Sequence, residues 1–214
     1  MPRAQRAYRV REDAPTSRAL LGLVAVNVAV FVLWNTYGRS PAGGAVMATH
    51  FLTSDAHVFS GYVWTLLTSA FSHTDAMHLL FNMLALYVFG RDVEDVIGTG
   101  RFLALYVVGG IVASLGHVLW NVIVASGVPA LGASGSVMAI SVLFGALYPK
   151  RTLMVNFFIP VPAALAVALY VLLDVAGMLG GGGNTAHAAH LGGAAVGLLY
   201  WLTSLRKRVR VVRR

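Results

Sequence analysis

Four side chains in this sequence have types and spacings that could do chemistry: Ser134, His190, His78 and Asn82. Each lies in or at the edge of an apolar stretch, where polar and ionisable groups are costly and tend to be paired or functional. His78 and Asn82 are four residues apart, so a helix presents both on one face. Ser134 opens an apolar run after Gly132 and Ala133. A hydroxyl, an imidazole that removes its proton, and a second imidazole with a carboxamide to receive negative charge make up a nucleophile, a base and an oxyanion site. Plainer readings exist for each. Gly132-Ala133-Ser134-Gly135 also suits close helix packing. It is not the Gly-x-Ser-x-Gly elbow of soluble hydrolases, because Ser136 occupies the last position. His78 with Asn82 also suits an interhelical hydrogen-bond pair, and His190 a structural donor.

Membrane helices must position these groups. Hydrophobic residues make up 57% of the 214, charged residues 11%, and mean hydropathy is +0.73. A soluble domain carries about 25% charged residues. Cysteine is absent, which excludes disulfides and thiolate metal sites. Uncharged stretches run from Ala19 to Tyr37, Phe102 to Pro149, Thr152 to Leu173 and Val175 to Leu205. Gly127, Pro129 and Gly132 divide the second, and a shorter apolar run starts at Met77. At roughly 20 residues per span, the reading is all-α, a bundle of six transmembrane helices at 19–37, 77–97, 102–125, 132–148, 152–178 and 185–204. Residues 1–18 form a basic arm, 19–204 the membrane domain and 205–214 a basic tail.

Fifteen of the sixteen Lys and Arg residues fall on one side of this bundle, Arg39 alone on the other. The positive-inside bias then puts both termini in the cytoplasm. The net charge of +8 is a topology signal resting on anionic lipid, not a nucleic-acid footprint. The loop 38–76, with Phe59, Tyr62, Trp64 and Phe71, reads as an amphipathic segment in the outer interface. In this arrangement Ser134 begins helix four, His190 lies about 9 Å inside helix six, and His78 and Asn82 occupy the outer half of helix two. Packing alone does not explain their common depth.

The same residues resemble the rhomboid family of intramembrane serine proteases. The resemblance runs through roughly residues 60–200. His78-Leu-Leu-Phe-Asn82 is similar to the family's His-x-x-x-Asn, and Gly90, Glu94, Gly98, Arg101, Phe102 and Tyr106 to the run out of that helix. Gly132-Ala133-Ser134-Gly135 resembles Gly-x-Ser-Gly, and Ala189-His190 with Gly193 and Gly197 resembles the helix that supplies the base. The order on helices two, four and six is the specific part. It implies a six-helix fold, Ser134 as nucleophile, His190 as base, His78 and Asn82 at the oxyanion, no cofactor, and single-pass transmembrane proteins as substrates. Two departures stand out. Trp64 is followed by Thr65 rather than Arg. Met138 stands where some members carry a Tyr that packs on the base, which implies a more loosely held His190.

The physics agrees with that assignment. A helix N-terminus at Ser134 offers unpaired N–H groups and a positive dipole end to an oxyanion. Gly193-x-x-x-Gly197, with Gly135 and Ala139, lets helices four and six approach closely. Asp174, the single acid in the last two helices, reads as interfacial, so the expectation is a dyad. The Gly180–Gly183 run reads as a movable cover. Two rivals remain. One is a catalytically silent relative that escorts membrane proteins. The other is a metal carrier using His187 and His190 with His73 and His78. The short Arg-rich start contains Glu12 and Asp13, unlike an import signal, and points to a bacterial plasma membrane. No sequence feature specifies an oligomeric state.

Overall fold

The computed structural model describes residues 6–9, 17–155, 158–180, 186–206 and 209–212. The arm residues 1–5 and 10–16, residues 156–157, the stretch 181–185 with its glycine run, and the tail residues 207–208 and 213–214 lie outside the described residues.

Helix α1 spans Arg18–Asn35. Ser17 caps it, its hydroxyl accepting the Ala19 N–H at 3.0 Å. Only one stripe of α1 is buried, Leu20, Leu23, Asn27 and Val30. The opposite side exposes Leu21, Val26, Val32 and Leu33. An apolar outside with a polar atom inside is the pattern of a helix solvated by lipid. Asn27 is fully buried and donates to the Leu23 carbonyl at 2.8 Å and the Tyr106 hydroxyl at 3.1 Å. Tyr106 in turn donates to the Ala70 carbonyl at 3.0 Å.

The loop 38–76 is built from several short helical pieces. It folds into α2 (Pro41–Phe51), α3 (Asp55–Phe59), α4 (Thr65–Thr68) and two 3₁₀ turns, Tyr37–Arg39 and Ser69–Phe71. Local signals account for the starts. Ser40 precedes Pro41 at the first helical position, and the Ser54 hydroxyl accepts the His57 N–H at 3.1 Å. Trp64 donates from Nε1 to His50 Nδ1 at 3.1 Å and stacks on that ring, with Tyr62 edge-on to both. This aromatic cluster holds the loop where a Trp-Arg pair is absent.

Helix α5 spans Ala76–Ile97 and α6 Thr99–Val124. Gly98, at φ 82°, turns the chain between them, a conformation that glycine adopts without steric cost. Glu94 seals this end, its Oε1 accepting from the Ser17 hydroxyl at 2.5 Å and from Thr99 at 2.7 Å. Helix α7, Ser134–Leu147, is the central element, with Gly135 to Ile140 all buried. Leu20, Leu86, Phe102, Tyr106, Ile140 and Phe144 form the core between α1, α5, α6 and α7.

The expected helix 152–178 is corrected. Strands β2 (Thr152–Val155) and β3 (Ile159–Pro162) form an antiparallel hairpin, and α8 begins only at Ala163, running to Leu179. Pro160 and Pro162 lack N–H donors and hold φ in the extended region, and Val155, Ile159 and Val161 are β-branched. The chain is mostly helical but not all-α. Arg6–Arg9 (β1) also pairs in parallel with Val209–Val212 (β4), which brings the two terminal segments together. The last helix is α9, His187–Tyr200, extended by a π-turn to Leu205.

Helix α9 packs backbone to backbone on α7. A Cβ on Gly193 would lie 2.8 Å from the Gly135 carbonyl carbon, and one on Gly197 3.0 Å from that of Ala139. On its other side, a Cβ on Gly192 would lie 2.9 Å from the Val112 oxygen of α6. Among the described residues, the segments Arg18–Arg39, Thr99–Val124 and His187–Leu205 are long and apolar enough to cross a membrane, and α7 and α8 are shorter apolar helices.

Candidate active site

The first residue of α7 and the first turn of α9 meet. Ser134 Oγ is 2.9 Å from His190 Nε2. The glycine contacts one turn further along α9 make this approach possible, because no side chain intervenes between the two backbones. His190 is 6% exposed. Its Nδ1 lies 2.9 Å from Asp174 Oδ1. With the Ser134 hydroxyl donating to Nε2, the Nδ1 hydrogen donates to the carboxylate, which is the tautomer a general base needs.

Asp174 is therefore not interfacial. It is 4% exposed, on the inward side of α8. Its Oδ1 also accepts from His187 Nδ1 at 2.7 Å. The expected dyad has a third member in contact. Sequence reasoning noticed Asp174 but could not orient it, since the sixteen residues to His190 include a glycine run that fixes no register. Ala163, Val167, Tyr170 and Asp174 recur at helical spacing and share the face that turns toward α7 and α9.

The expectation of a loosely held base is likewise corrected. Tyr170 of α8 stacks on the His190 ring, with centroids 6.0 Å apart and planes 29° apart. An aromatic cover is present but comes from helix five rather than helix four. Met138 is buried in α7.

His78 reaches the turn that carries Ser134. A Cβ on Gly132 would sit 2.7 Å from His78 Cε1 and 2.9 Å from Nε2, so only glycine, here at φ 123°, fits under the ring. Asp75 caps α5 by accepting the His78 N–H at 2.8 Å, which fixes the start of that helix. Asn82 is 6% exposed and donates from Nδ2 to the His78 carbonyl at 2.9 Å. Its amide stays on the helix that carries His78 and keeps a second proton. Ser136, the alternative hydroxyl, is fully buried and donates to the Tyr106 carbonyl at 2.7 Å, so it is a packing group.

Sequence reasoning missed His73 as a support. Its ring lies edge-on to His78, with centroids 4.9 Å apart, and its Nε2 accepts the Ala133 N–H at 3.4 Å. That acceptor role requires a neutral imidazole. Burial, with His78 adding to it, pushes the His73 imidazole down to about 3. A small recess opens beside Ser134, with Thr53, Ser69 and Ser114 among its lining residues. The Ser69 and Ser114 hydroxyls are 3.2 Å apart. This is a polar recess within an apolar bundle, suited to water. Among the described residues, the one group of three potential metal donors is Asp174, His187 and His190; His73 and His78 do not join it.

A family model described as "Rhomboid domain" matches residues 60–207. "RHOMBOID-like protein 12, mitochondrial" of Arabidopsis thaliana is 36% identical over 205 residues, covering 89% of this chain and 60% of the relative. "Presenilin-associated rhomboid-like protein, mitochondrial" of Homo sapiens is 31% identical over 186 residues, covering 86% and 47%. "Rhomboid protein 1, mitochondrial" of Saccharomyces cerevisiae is 34% identical over 187 residues, covering 85% and 52%. The chain thus spans about half the length of the curated relatives it matches. Their names overturn the expectation of a bacterial plasma membrane. That expectation rested on the lack of an import signal, and a match to part of a longer protein carries no information about what precedes it.

Proposed function

We propose, on the premise that the chain belongs to the rhomboid family, that it is an intramembrane serine endopeptidase that cleaves transmembrane segments of other membrane proteins. The observation that carries this reading is the 2.9 Å contact between Ser134 Oγ and His190 Nε2 in a bundle whose outer faces are apolar.

Ser134 Oγ attacks the scissile carbonyl carbon as its proton passes to His190 Nε2. Charge develops on the carbonyl oxygen, where first-turn N–H groups of α7 and the dipole of that helix are aimed. His78 Nε2 adds a donor, and Asn82 supports it from the next turn of α5. One such donor is worth about 3 kcal/mol. Asp174 accepts the Nδ1 hydrogen throughout and stabilises the imidazolium. His190 then protonates the leaving amine, the peptide C–N bond breaks, and an ester to Ser134 remains. Water from the recess lined by Ser69 and Ser114 gives a proton to His190 and attacks that ester, releasing the acid and restoring the Ser134 hydroxyl. A substrate helix has to unwind locally, because its carbonyls are otherwise bonded within the helix.

Topology follows from charge. Six spans, α1, α5, α6, α7, α8 and α9, put both termini on the Lys/Arg-rich side, and the β1–β4 pairing supports a common side. Anionic lipid binds that face. The deciding experiment is cleavage of a reporter transmembrane substrate by purified protein in detergent, with and without Ser134→Ala. Cleavage should vanish in the variant and persist with chelator present. Full activity of Ser134→Ala would sink the protease reading.

A further inference from the structure

The carboxylate beside the base holds more than proton transfer requires. One imidazole on Asp174 would suffice to orient His190. Two are present, both directing Nδ1 at Oδ1, at 2.7 Å from His187 and 2.9 Å from His190. The other carboxylate oxygen, Oδ2, is buried with no hydrogen-bond partner among the described residues, on a residue 4% exposed. The potential ligand atoms of the three residues all lie within 4.8 Å of one another. Asp174 comes from α8, while His187 and His190, three apart, share a face of α9. The His187 side chain is 19% exposed, so the cluster has an open side.

We propose that Asp174, His187 and His190 form a binding site for Zn²⁺, and that its occupancy switches off the Ser134–His190 pair. Two imidazole nitrogens and a carboxylate suit zinc rather than calcium or magnesium, which take oxygen ligands. Three protein ligands leave the fourth tetrahedral position to water. Tetrahedral donors around zinc lie about 3.3 Å apart. The present Oδ1–Nδ1 separations therefore open by about half an ångström on binding, while the two imidazole nitrogens, now within 4.8 Å of each other, draw in to the same spacing through χ adjustments. The unpartnered Oδ2 gives the carboxylate a second lone-pair site for the ion.

The sign of the effect follows from the tautomer. Without metal, the neutral His190 ring carries its hydrogen on Nδ1 and offers the Nε2 lone pair to Ser134. Zinc takes the Nδ1 lone pair, so the ring hydrogen resides on Nε2, with exchange through water and no net change in protons. Nε2 then presents a hydrogen to Ser134 and cannot accept one. Metal binding at this cluster stands on its own; the inhibition rests on the protease reading above.

The test uses the whole purified chain in detergent micelles, freed of metal by chelator. Calorimetric titration with ZnCl₂ should give one equivalent bound by the wild type and by Ser134→Ala. Co²⁺ should give the visible spectrum of a tetrahedral nitrogen and oxygen site. His187→Ala and Asp174→Asn should each weaken Zn²⁺ by more than about tenfold. His187→Gln, which keeps a hydrogen bond to Asp174 but is a poor ligand, should weaken it equally. Zn²⁺ should inhibit cleavage of the reporter by wild type, reversibly with EDTA. Against its own metal-free rate, His187→Gln should need at least tenfold more zinc. Absence of stoichiometric binding, or unchanged affinity in His187→Gln and Asp174→Asn, overturns the site. Zinc binding with the stated dependence but no metal-free cleavage leaves the site standing and removes the protease reading. Cleavage without zinc binding does the reverse.

Discussion

Gly193→Ala probes the geometry most directly, because one methyl group tests how closely α7 and α9 must approach. A Cβ there would lie 2.8 Å from the Gly135 carbonyl carbon and 3.1 Å from its Cα, and both atoms belong to backbone that cannot rotate away. Carbon–carbon contacts are comfortable at about 3.5 Å. The two helices must therefore separate by about 0.7–1 Å. Gly135 and Gly193 neighbour Ser134 and His190, so the opening falls on the 2.9 Å Ser134–His190 contact and stretches it past hydrogen-bond reach. A displacement of that size costs about 10²-fold in turnover, with KM little affected because the reacting atoms, not the substrate's apolar contacts, move. The assay is cleavage of a reporter transmembrane segment by purified protein, alongside the labelling rate of Ser134 with a fluorophosphonate. Gly22→Ala is the control: nothing lies within 4 Å of a Cβ at Gly22, and activity should be unchanged. Wild-type turnover in a folded Gly193→Ala protein, checked by thermal melting, would refute the packing argument.

Other outcomes follow from the same site. Ser134→Ala and His190→Ala should each abolish cleavage while the protein stays folded, and a fluorophosphonate should label the wild type at Ser134. Asp174→Asn keeps the volume but not the charge, and should lower kcat by about 10²–10⁴-fold in metal-free buffer with KM little changed; unchanged kcat would restore the simple dyad. His78→Ala should cost about 10²–10³-fold, less than loss of Ser134, and Asn82→Ala should be milder and non-additive with it, since Asn82 donates to the His78 carbonyl. Wild-type turnover in both single variants would move the oxyanion site elsewhere. His73 gives a pH prediction. The folded imidazole stays neutral down to about 3, whereas the unfolded chain protonates near 6.5, so the unfolded state binds more protons between these values. Stability should fall as pH is lowered from about 6.5 towards 3, and His73→Gln, which retains an acceptor for Ala133, should flatten that slope in thermal melts.

The residues that were legible are those whose meaning is local. Charge-free stretches placed α1, α6, α7 and α9 to within a few residues, because lipid enforces length and apolarity, and the apolar run from Met77 placed α5. Ser134 and His190 could be paired in advance from their common depth and from a motif order that resembles the rhomboid family, and Gly135, Gly193 and Gly197 left room for their helices to approach. The hairpin 152–162 was misread because hydropathy is blind to backbone conformation, although Pro160, Pro162 and the β-branched residues carried the correct signal. Asp174 and Tyr170 were beyond reach for another reason. Which face of α8 turns inward depends on packing against α7 and α9, and an almost uniformly apolar helix does not encode its own rotation.

Helix α8 is fastened at two points. At its start, the Ala163 N–H donates to the Arg151 carbonyl at 2.8 Å and Ala163 is buried; near its far end, the one other buried residue is Asp174. Leu165, Leu169, Leu172 and Leu173 face outward between them. The helix is thus a lever about 16 Å long from pivot to latch. A tilt of about 4° moves the latch by about 1 Å over that length, enough to part the carboxylate from both imidazoles, and the Tyr170 ring leaves with it. Readiness for chemistry is therefore interlocked with the seating of one peripheral helix. On the protease reading, anything that wedges α8 outward should disarm Ser134 without touching it, and a compound lodged between α8 and α9 should inhibit by holding that latch open.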